Sequence, residues 1–174
     1  TSGSTGQPKG VAIDHRGAVN TVLDVNDRFA VTPNDRLFGL SALHFDLSVY
    51  DIWGSLLSGA AVVLPDAERL KDPSHWLELA SGTGVTIWNS VPMLMQMLVE
   101  YMEFSGISGA FPLRLVMLSG DWIPLDLPSR IRSVAPGARV YSLGGATEAS
   151  IWSIFYPVED VQSQWKSSPY GRPL

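Results

Sequence analysis

Short apolar runs alternate with amphipathic stretches along nearly the whole chain. His15 to Phe29 reads as a helix, with Val19, Val22, Leu23 and Val25 on an apolar face and Thr32-Pro33-Asn34-Asp35 as the loop that ends it. Arg36 to Leu43 is a short apolar run and is predicted as a buried strand. Asp46 stands at an N-cap position before a helix carrying Val49, Ile52, Trp53, Leu56 and Leu57, which Ser58-Gly59 closes. Ala60 to Leu64 is a strand stopped by Pro65, Asp72-Pro73-Ser74 opens a helix to about Ala80, and Val85 to Trp88 is a strand. A Met- and Leu-rich helix follows over Val91 to Phe104, with Pro92 in its first turn. Leu113 to Leu118 is a strand, Leu125 to Val134 a helix and Arg139 to Leu143 a strand, and β-branched and aromatic residues mark Ser150 to Tyr156. Repeated strand–helix alternation with short turns predicts an α/β fold with a mainly parallel sheet and flanking helices. In such sheets ligands gather at the carboxyl ends of the strands.

Composition narrows the choice of partners. With 45% hydrophobic residues among 174, the chain can bury a sizeable core as one domain or part of a larger one. A net charge of −5 and scattered basic residues argue against a nucleic-acid surface. No run of ~18 apolar residues marks a membrane-spanning helix. The absence of cysteine excludes disulfides and a Cys-based zinc site, and fits a reducing, cytoplasmic setting. His15, His44 and His75 lie too far apart to show metal-ligand spacing.

The candidate chemistry begins at the first residue. Thr1 to Gly10 (TSGSTGQPKG) combines three glycines with four hydroxyls and Lys9, and holds no acidic side chain. Glycines let backbone N–H groups converge on an anion, hydroxyls add donors and the lysine adds a point charge, which suits a polyphosphate. Because Lys9 precedes Gly10 and not Ser or Thr, this differs from the Walker loop. Such composition also occurs in plain linkers, but here it runs into the apolar Val11-Ala12-Ile13.

Three strand ends carry further polar residues. In HFDLSVYDIWG (44–54), Asp46 is either a helix cap or an acceptor for a substrate ammonium, and its two oxygens allow both. In VMLSGD (116–121), Gly120 marks a close backbone approach to a neighbouring element or a ligand. In SLGGATEAS (142–150), Thr147 and Glu148 either begin a helical turn or offer a hydroxyl and a hard carboxylate, the second suited to Mg²⁺ beside a polyphosphate.

TSGSTGQPKGV, HFDLSVYDIWG and GGATEASIW, in that order, resemble the adenylation domains of non-ribosomal peptide synthetases, within the adenylate-forming superfamily. The resemblance runs over essentially the whole chain. It implies that an amino acid and ATP give aminoacyl-AMP and pyrophosphate. The aminoacyl group then passes to the phosphopantetheine thiol of a peptidyl carrier domain, with a condensation or cyclisation domain in the same parent. By the same resemblance Thr1, Ser2, Gly3, Ser4, Thr5, Gly6 and Lys9 form the loop over the ATP phosphates, Thr147 contacts phosphate and Glu148 holds Mg²⁺. Asp46 matches the aspartate that receives the substrate ammonium, and His44 an aromatic position beside the reacting carboxylate and the thiol's entry path. Two positions depart from the family. Gly144 stands where an aromatic residue usually stacks on adenine, which leaves the stacking partner open, and Ser142 stands where Asn is usual near the adenine amino group.

The family's ribose-binding aspartate and the lysine of its C-terminal domain lie downstream of Gly171-Arg172-Pro173. With a phosphate loop at residue 1 and no strand before it, the chain reads as the middle of a large N-terminal domain, inactive when isolated. The family's side-chain pocket maps onto Asp46, Leu47, Tyr50, Asn89, Met117, Ser119, Leu143, Ile151 and Trp152. Tyr50 and Trp152 limit its volume, while Leu47, Met117, Leu143 and Ile151 make its walls apolar and, at Met117, polarizable. Asn89 and Ser119 are the remaining polar groups, so the lining suits a short thiol. SGDWIP and GGATEASIW also look similar to cysteine-activating, thiazoline-forming synthetases, which makes L-cysteine the favoured substrate. An acyl- or aryl-CoA ligase of the same superfamily is the alternative, and Asp46 counts against it because acids without an amino group do not need that carboxylate. A catalytically silent nucleotide-binding fragment is the other, against which stand the intact Lys9, Thr147 and Glu148.

Overall fold

The computed structural model describes residues 9–107, 111–162, 164–169 and 171–174. Helices α1 (His15–Arg28), α2 (Leu47–Ser58), α3 (Pro73–Thr83), α4 (Pro92–Phe104) and α5 (Leu127–Val134) alternate with β1 (Arg36–Gly39), β2 (Ala61–Val63), β3 (Ile87–Ser90), β4 (Leu115–Leu118) and β5 (Arg139–Gly144). Two more strands, β6 (Ile154–Pro157) and β7 (Arg172–Pro173), complete a sheet in the order β2-β1-β3-β4-β5-β6-β7. The first five strands run parallel, and β6 and β7 are antiparallel to their neighbours. The α/β class and mainly parallel sheet expected from the hydrophobic pattern are therefore what forms.

Side-chain alternation along each strand divides the core in two. Phe38, Trp88, Val116, Leu118 and Val140 face α3, α4 and α5, packing with Trp76, Met95, Val99, Ile131 and others. Leu37, Ile87, Leu115, Met117 and Leu143 face the other way, onto Val22, Val25 and Phe29 of α1 and Leu47 and Tyr50 of α2. The parallel register lines up Gly39, Asn89, Met117 and Tyr141 as one row across the sheet, so Asn89 shares the α1–α2 face with Met117. That face carries the candidate pocket.

Several elements differ from the expectation. β1 ends at Gly39, four residues before Leu43, and 40–46 is a turn-rich connection. The β-character expected from Ser150 begins only at Ile154, because Ser150 and Ile151 adopt φ of 63° and 73° and turn the chain first. α2 buries Leu47, Ser48, Tyr50, Asp51, Gly54 and Ser55, while Trp53, Leu56 and Leu57 of its apolar stripe are each more than half exposed. The small residues win this face because they let the helix approach α1 closely enough for Asn26 Nδ2 to donate to Gly54 O at 2.8 Å.

At the opposite end of the strands Asp35 precedes β1, Thr86 precedes β3 and Arg114 precedes β4. Asp35 accepts from Arg114 Nε and Nη2 at 2.6 Å, from Thr86 Oγ1 at 2.7 Å and from Thr32 N at 2.9 Å. Arg114 also donates to Phe29 O at 3.0 Å and Ala30 O at 3.1 Å, tying the end of α1 to the sheet.

Candidate functional site

The connections at the carboxyl ends of β1, β3, β4 and β5 converge. Asp46 sits at the N-cap of α2 but makes no side-chain cap bond. Its Oδ2 instead accepts from Thr147 Oγ1 at 2.6 Å, across 101 residues of sequence. Thr147 opens a single turn of 3-10 helix, Thr147–Ala149, so the helical-turn alternative for Thr147 and Glu148 and a shared polar site coexist. Glu148 is exposed next to it.

Leu47, Tyr50, Met117, Leu143, Ile151 and Trp152 belong to one contiguous buried cluster. The Tyr50 and Trp152 rings meet edge to face, 5.1 Å between centroids. Tyr50 Oη donates to Asn26 Oδ1 at 3.0 Å, and burial first of all raises its pKa above the ordinary phenol value. Trp152 Nε1 donates to Ser119 Oγ at 3.0 Å, which fixes the indole against the end of β4. Asn89 Nδ2 donates to Asp51 Oδ1 at 2.7 Å, and its Oδ1 has no hydrogen-bond partner among the described residues. Burial pushes the Asp51 carboxyl up to about 7, against the lowering effect of the Asn89 and Ser41 donors.

Leu143 also lines a cleft of about 900 Å³, together with Ser142, Gly144, Gly145, Ala146 and Gly120. Leu143 is thus the residue shared by the buried cluster and the lining of the cleft. Gly120 has φ of +82°, and a Cβ there would meet Phe45 and Val91 at 3.3 Å, so the close approach expected of it is real and is to neighbouring side chains. Gly145 forms part of the floor, where a Cβ would lie 2.7 Å from Ser153 N. Gly144 offers no ring, but Trp122, 67% exposed, and Trp165 line the same cleft. The signal for Trp122 was present in SGDWIP, as an aromatic residue directly after a strand-end Gly-Asp turn.

The remaining candidates stand apart. His44 is exposed in the connection before α2 and lines a separate cavity of about 250 Å³ with Phe45, Leu47 and Ser90. Lys9 is exposed, and Thr1, Ser2, Gly3, Ser4, Thr5 and Gly6 lie outside the described residues. Among the described residues no group of three His, Cys, Asp or Glu side chains is placed to hold a metal ion. No helix among them is long and apolar enough to cross a membrane.

Sequence reasoning passed over Asp51. Its signal was the spacing of Leu47, Tyr50, Asp51 and Gly54, which falls on one helical face and carries a carboxylate into the core.

Comparison with known proteins places these features in context. Residues 1–174 match the AMP-binding enzyme family. Pyochelin synthetase PchF of Pseudomonas aeruginosa is 51% identical over 174 residues, covering 100% of this chain and 10% of that protein. Bacitracin synthase 1 of Bacillus licheniformis is 52% identical over the same length, 3% of its own. The non-ribosomal peptide synthetase FmoA3, solved in an α-methyl-L-serine-AMP-bound form, superposes with a TM-score of 0.92 at 54% identity over 97% of this chain and 19% of that one. FmoA3 has also been solved with AMPPNP bound. The chain thus spans a fifth or less of each of these relatives.

Proposed function

Because the chain belongs to the AMP-binding enzyme family and matches adenylation domains of non-ribosomal peptide synthetases, we propose that it activates a small amino acid, L-cysteine first, as aminoacyl-AMP. It would do so as the central part of a larger adenylation domain, for delivery to a carrier-domain phosphopantetheine thiol. The observation that carries this reading is the 2.6 Å hydrogen bond between Thr147 and Asp46. It joins a carboxylate suited to an α-ammonium to a hydroxyl suited to a phosphate, and Asp46 directly precedes Leu47 of the buried apolar cluster.

The reaction brings a substrate carboxylate to an α-phosphate, anion against anion, so positioning and electrostatics dominate the barrier. Asp46 holds the ammonium and thereby orients the carboxylate. Once the ammonium occupies Asp46, Thr147 is free to turn its single O–H to a phosphate oxygen, and Lys9 with the 1–6 loop covers the polyphosphate. By the family resemblance, His44 would stand on the side from which the thiol approaches. Glu148 fits Mg²⁺, which prefers one or two carboxylates plus phosphate oxygens and supplies charge neutralisation when bound. With Gly144 ringless, Trp122 and Trp165 provide the aromatic surface for adenine, and Ser142 lies beside them in the cleft.

The enclosure of the cluster by Tyr50 and Trp152 supports a short side chain, and Met117 with Leu143 supports an apolar one. Burying a hydroxyl without a partner costs ~1–3 kcal/mol, roughly 5- to 150-fold against serine. Asn89 Oδ1, without a partner among the described residues, favours a second reading, a β-hydroxy amino acid, because it offers such a hydroxyl an acceptor. Pyrophosphate exchange by the full-length protein with cysteine, serine, alanine, threonine and valine separates the two. Cysteine is expected first and valine last, with Trp152→Ala admitting valine. Serine ahead of cysteine would favour the second reading, and activity only on acids without an amino group would point to an acyl- or aryl-CoA ligase.

A further inference from the structure

Asn89 is fully buried, yet only half of its amide is used. Nδ2 donates to Asp51 Oδ1 at 2.7 Å, and Oδ1 is enclosed without a partner among the described residues. A buried acceptor in that state is unfavourable, and a 180° turn of the amide would merely exchange the two ends. Asp51 forbids the turn when it is ionised, above about pH 7: a carboxylate only accepts, so the end of the amide facing it must then be the NH₂. Asp51 is itself held in place, 2% exposed on the inner face of α2, with Oδ2 accepting from Ser41 N at 3.3 Å. The strand register sets Asn89 beside Met117, and Tyr50, which lines the same cluster, directly precedes Asp51. Asn89 thus lies on the sheet face that carries Met117 and the apolar cluster.

We propose that Asp51 is a positioning residue that locks the Asn89 amide with its oxygen toward the amino-acid side chain, selecting substrates with a β-thiol or β-hydroxyl over those with a methyl group. This rests on the small-amino-acid reading and adds how the side chain is told from its isostere. Volume cannot do so, because L-cysteine and L-2-aminobutyrate fill nearly the same space. A hydrogen bond can, since a site built to meet a donor rejects the analogue that lacks one.

Asp51→Asn tests the lock. The new amide has a single oxygen for two donors, Ser41 N and Asn89 Nδ2. When it keeps Ser41 N it turns its NH₂ to Asn89, whose amide then flips and presents NH₂ where the oxygen stood. Exchange is measured on the full-length protein at about pH 8, where the Asp51 carboxylate is ionised. The wild type is expected to favour cysteine over 2-aminobutyrate by about tenfold, the size of one buried hydrogen bond. Asp51→Asn is expected to bring that ratio to about one through the KM for cysteine, leaving kcat and the KM for ATP unchanged. Asn89→Leu should collapse the ratio equally, and the double variant should lose no more than Asn89→Leu alone. Asp51→Glu, which keeps an ionised acceptor, should retain the preference, and this holds as a test even where Asp51→Asn folds poorly. Equal losses on both substrates, or additive effects of the two substitutions, would make Asp51 a packing residue only. A parent that exchanges neither cysteine nor serine removes the substrate reading instead. The lock is then judged by the same double-variant coupling, on the acid that is exchanged and its methyl analogue.

Discussion

Asp35, before the first residue of β1, is met by two guanidinium nitrogens, a hydroxyl and a backbone N–H. Asp51, above the other end of the same strands, is met by one amide and one backbone N–H, and the amide leaves its own oxygen without a partner among the described residues. Both carboxyls are almost fully buried. Burial raises Asp35, but Arg114, Thr32 and Thr86 outweigh it and hold the carboxyl below its usual range, while at Asp51 burial prevails. The amino edge of the sheet is closed as a structural knot, and the carboxyl edge is left with capacity to spare. A fold places its incompletely satisfied polar groups where a ligand completes them.

The largest effect should come from untying the knot. Arg114→Ala leaves Asp35 buried with its cation gone and is expected to lower stability by about 3 kcal/mol. The order of substrates in pyrophosphate exchange should not change. Denaturant unfolding and the exchange profile read the two separately, and a reordered profile would end the division between the edges. Next, Asp46→Ala should raise the KM of every amino acid alike, by roughly 30-fold for one lost charged hydrogen bond, with little change in the melting temperature. A selective effect on one amino acid would mean that Asp46 reads side chains.

The two carboxyls should also leave opposite marks on stability against pH. Asp51 has its folded pKa raised from 3.8 to about 7, so its stabilising contribution is complete below 3.8 and is lost as pH rises through about 7. That amounts to about 1 kcal/mol between about pH 6 and 8. Asp35 is lowered, so its contribution is present above 3.8 and lost as pH falls through the acidic range. Unfolding midpoints from pH 5 to 8 should therefore slope downward in the wild type and flatten in Asp51→Asn. The smallest effect, about 1 kcal/mol or less, belongs to Trp152→Phe, which removes the bond to Ser119 Oγ and keeps an aromatic wall. Calorimetry checks it, and a larger loss would show that the indole supports the β4 end as well as the pocket.

The alternation of strands and helices was legible in the sequence because each apolar run is short, and turn residues punctuate it. Six of the residues assigned to the pocket, Leu47, Tyr50, Met117, Leu143, Ile151 and Trp152, do meet in one buried cluster. What escaped depends on long-range competition. Trp53, Leu56 and Leu57 promise a buried face by hydropathy, but the closer approach offered by Gly54 and Ser55 turns α2 the other way. Asp35 and Arg114 are 79 residues apart, and no local pattern joins them. Asp46 has the residue type of a cap, yet the structure uses its oxygen on Thr147 instead. The two residues of β7 are too short for any periodicity, and the loop glycines and hydroxyls of 1–6 fall outside the described residues.

Ile151 stands at φ of 73°, in a region that a β-branched residue adopts only under constraint, with Ser150 beside it at 63°. Glycine would relax that backbone and leave a hole in the pocket wall. A lineage released from selection on its substrate could take this change only where the relaxed backbone offsets the lost burial of the Ile151 side chain. The same reasoning warns the protein engineer: a stability-guided redesign that replaces position 151 would be trading the shape of the recognition surface for robustness.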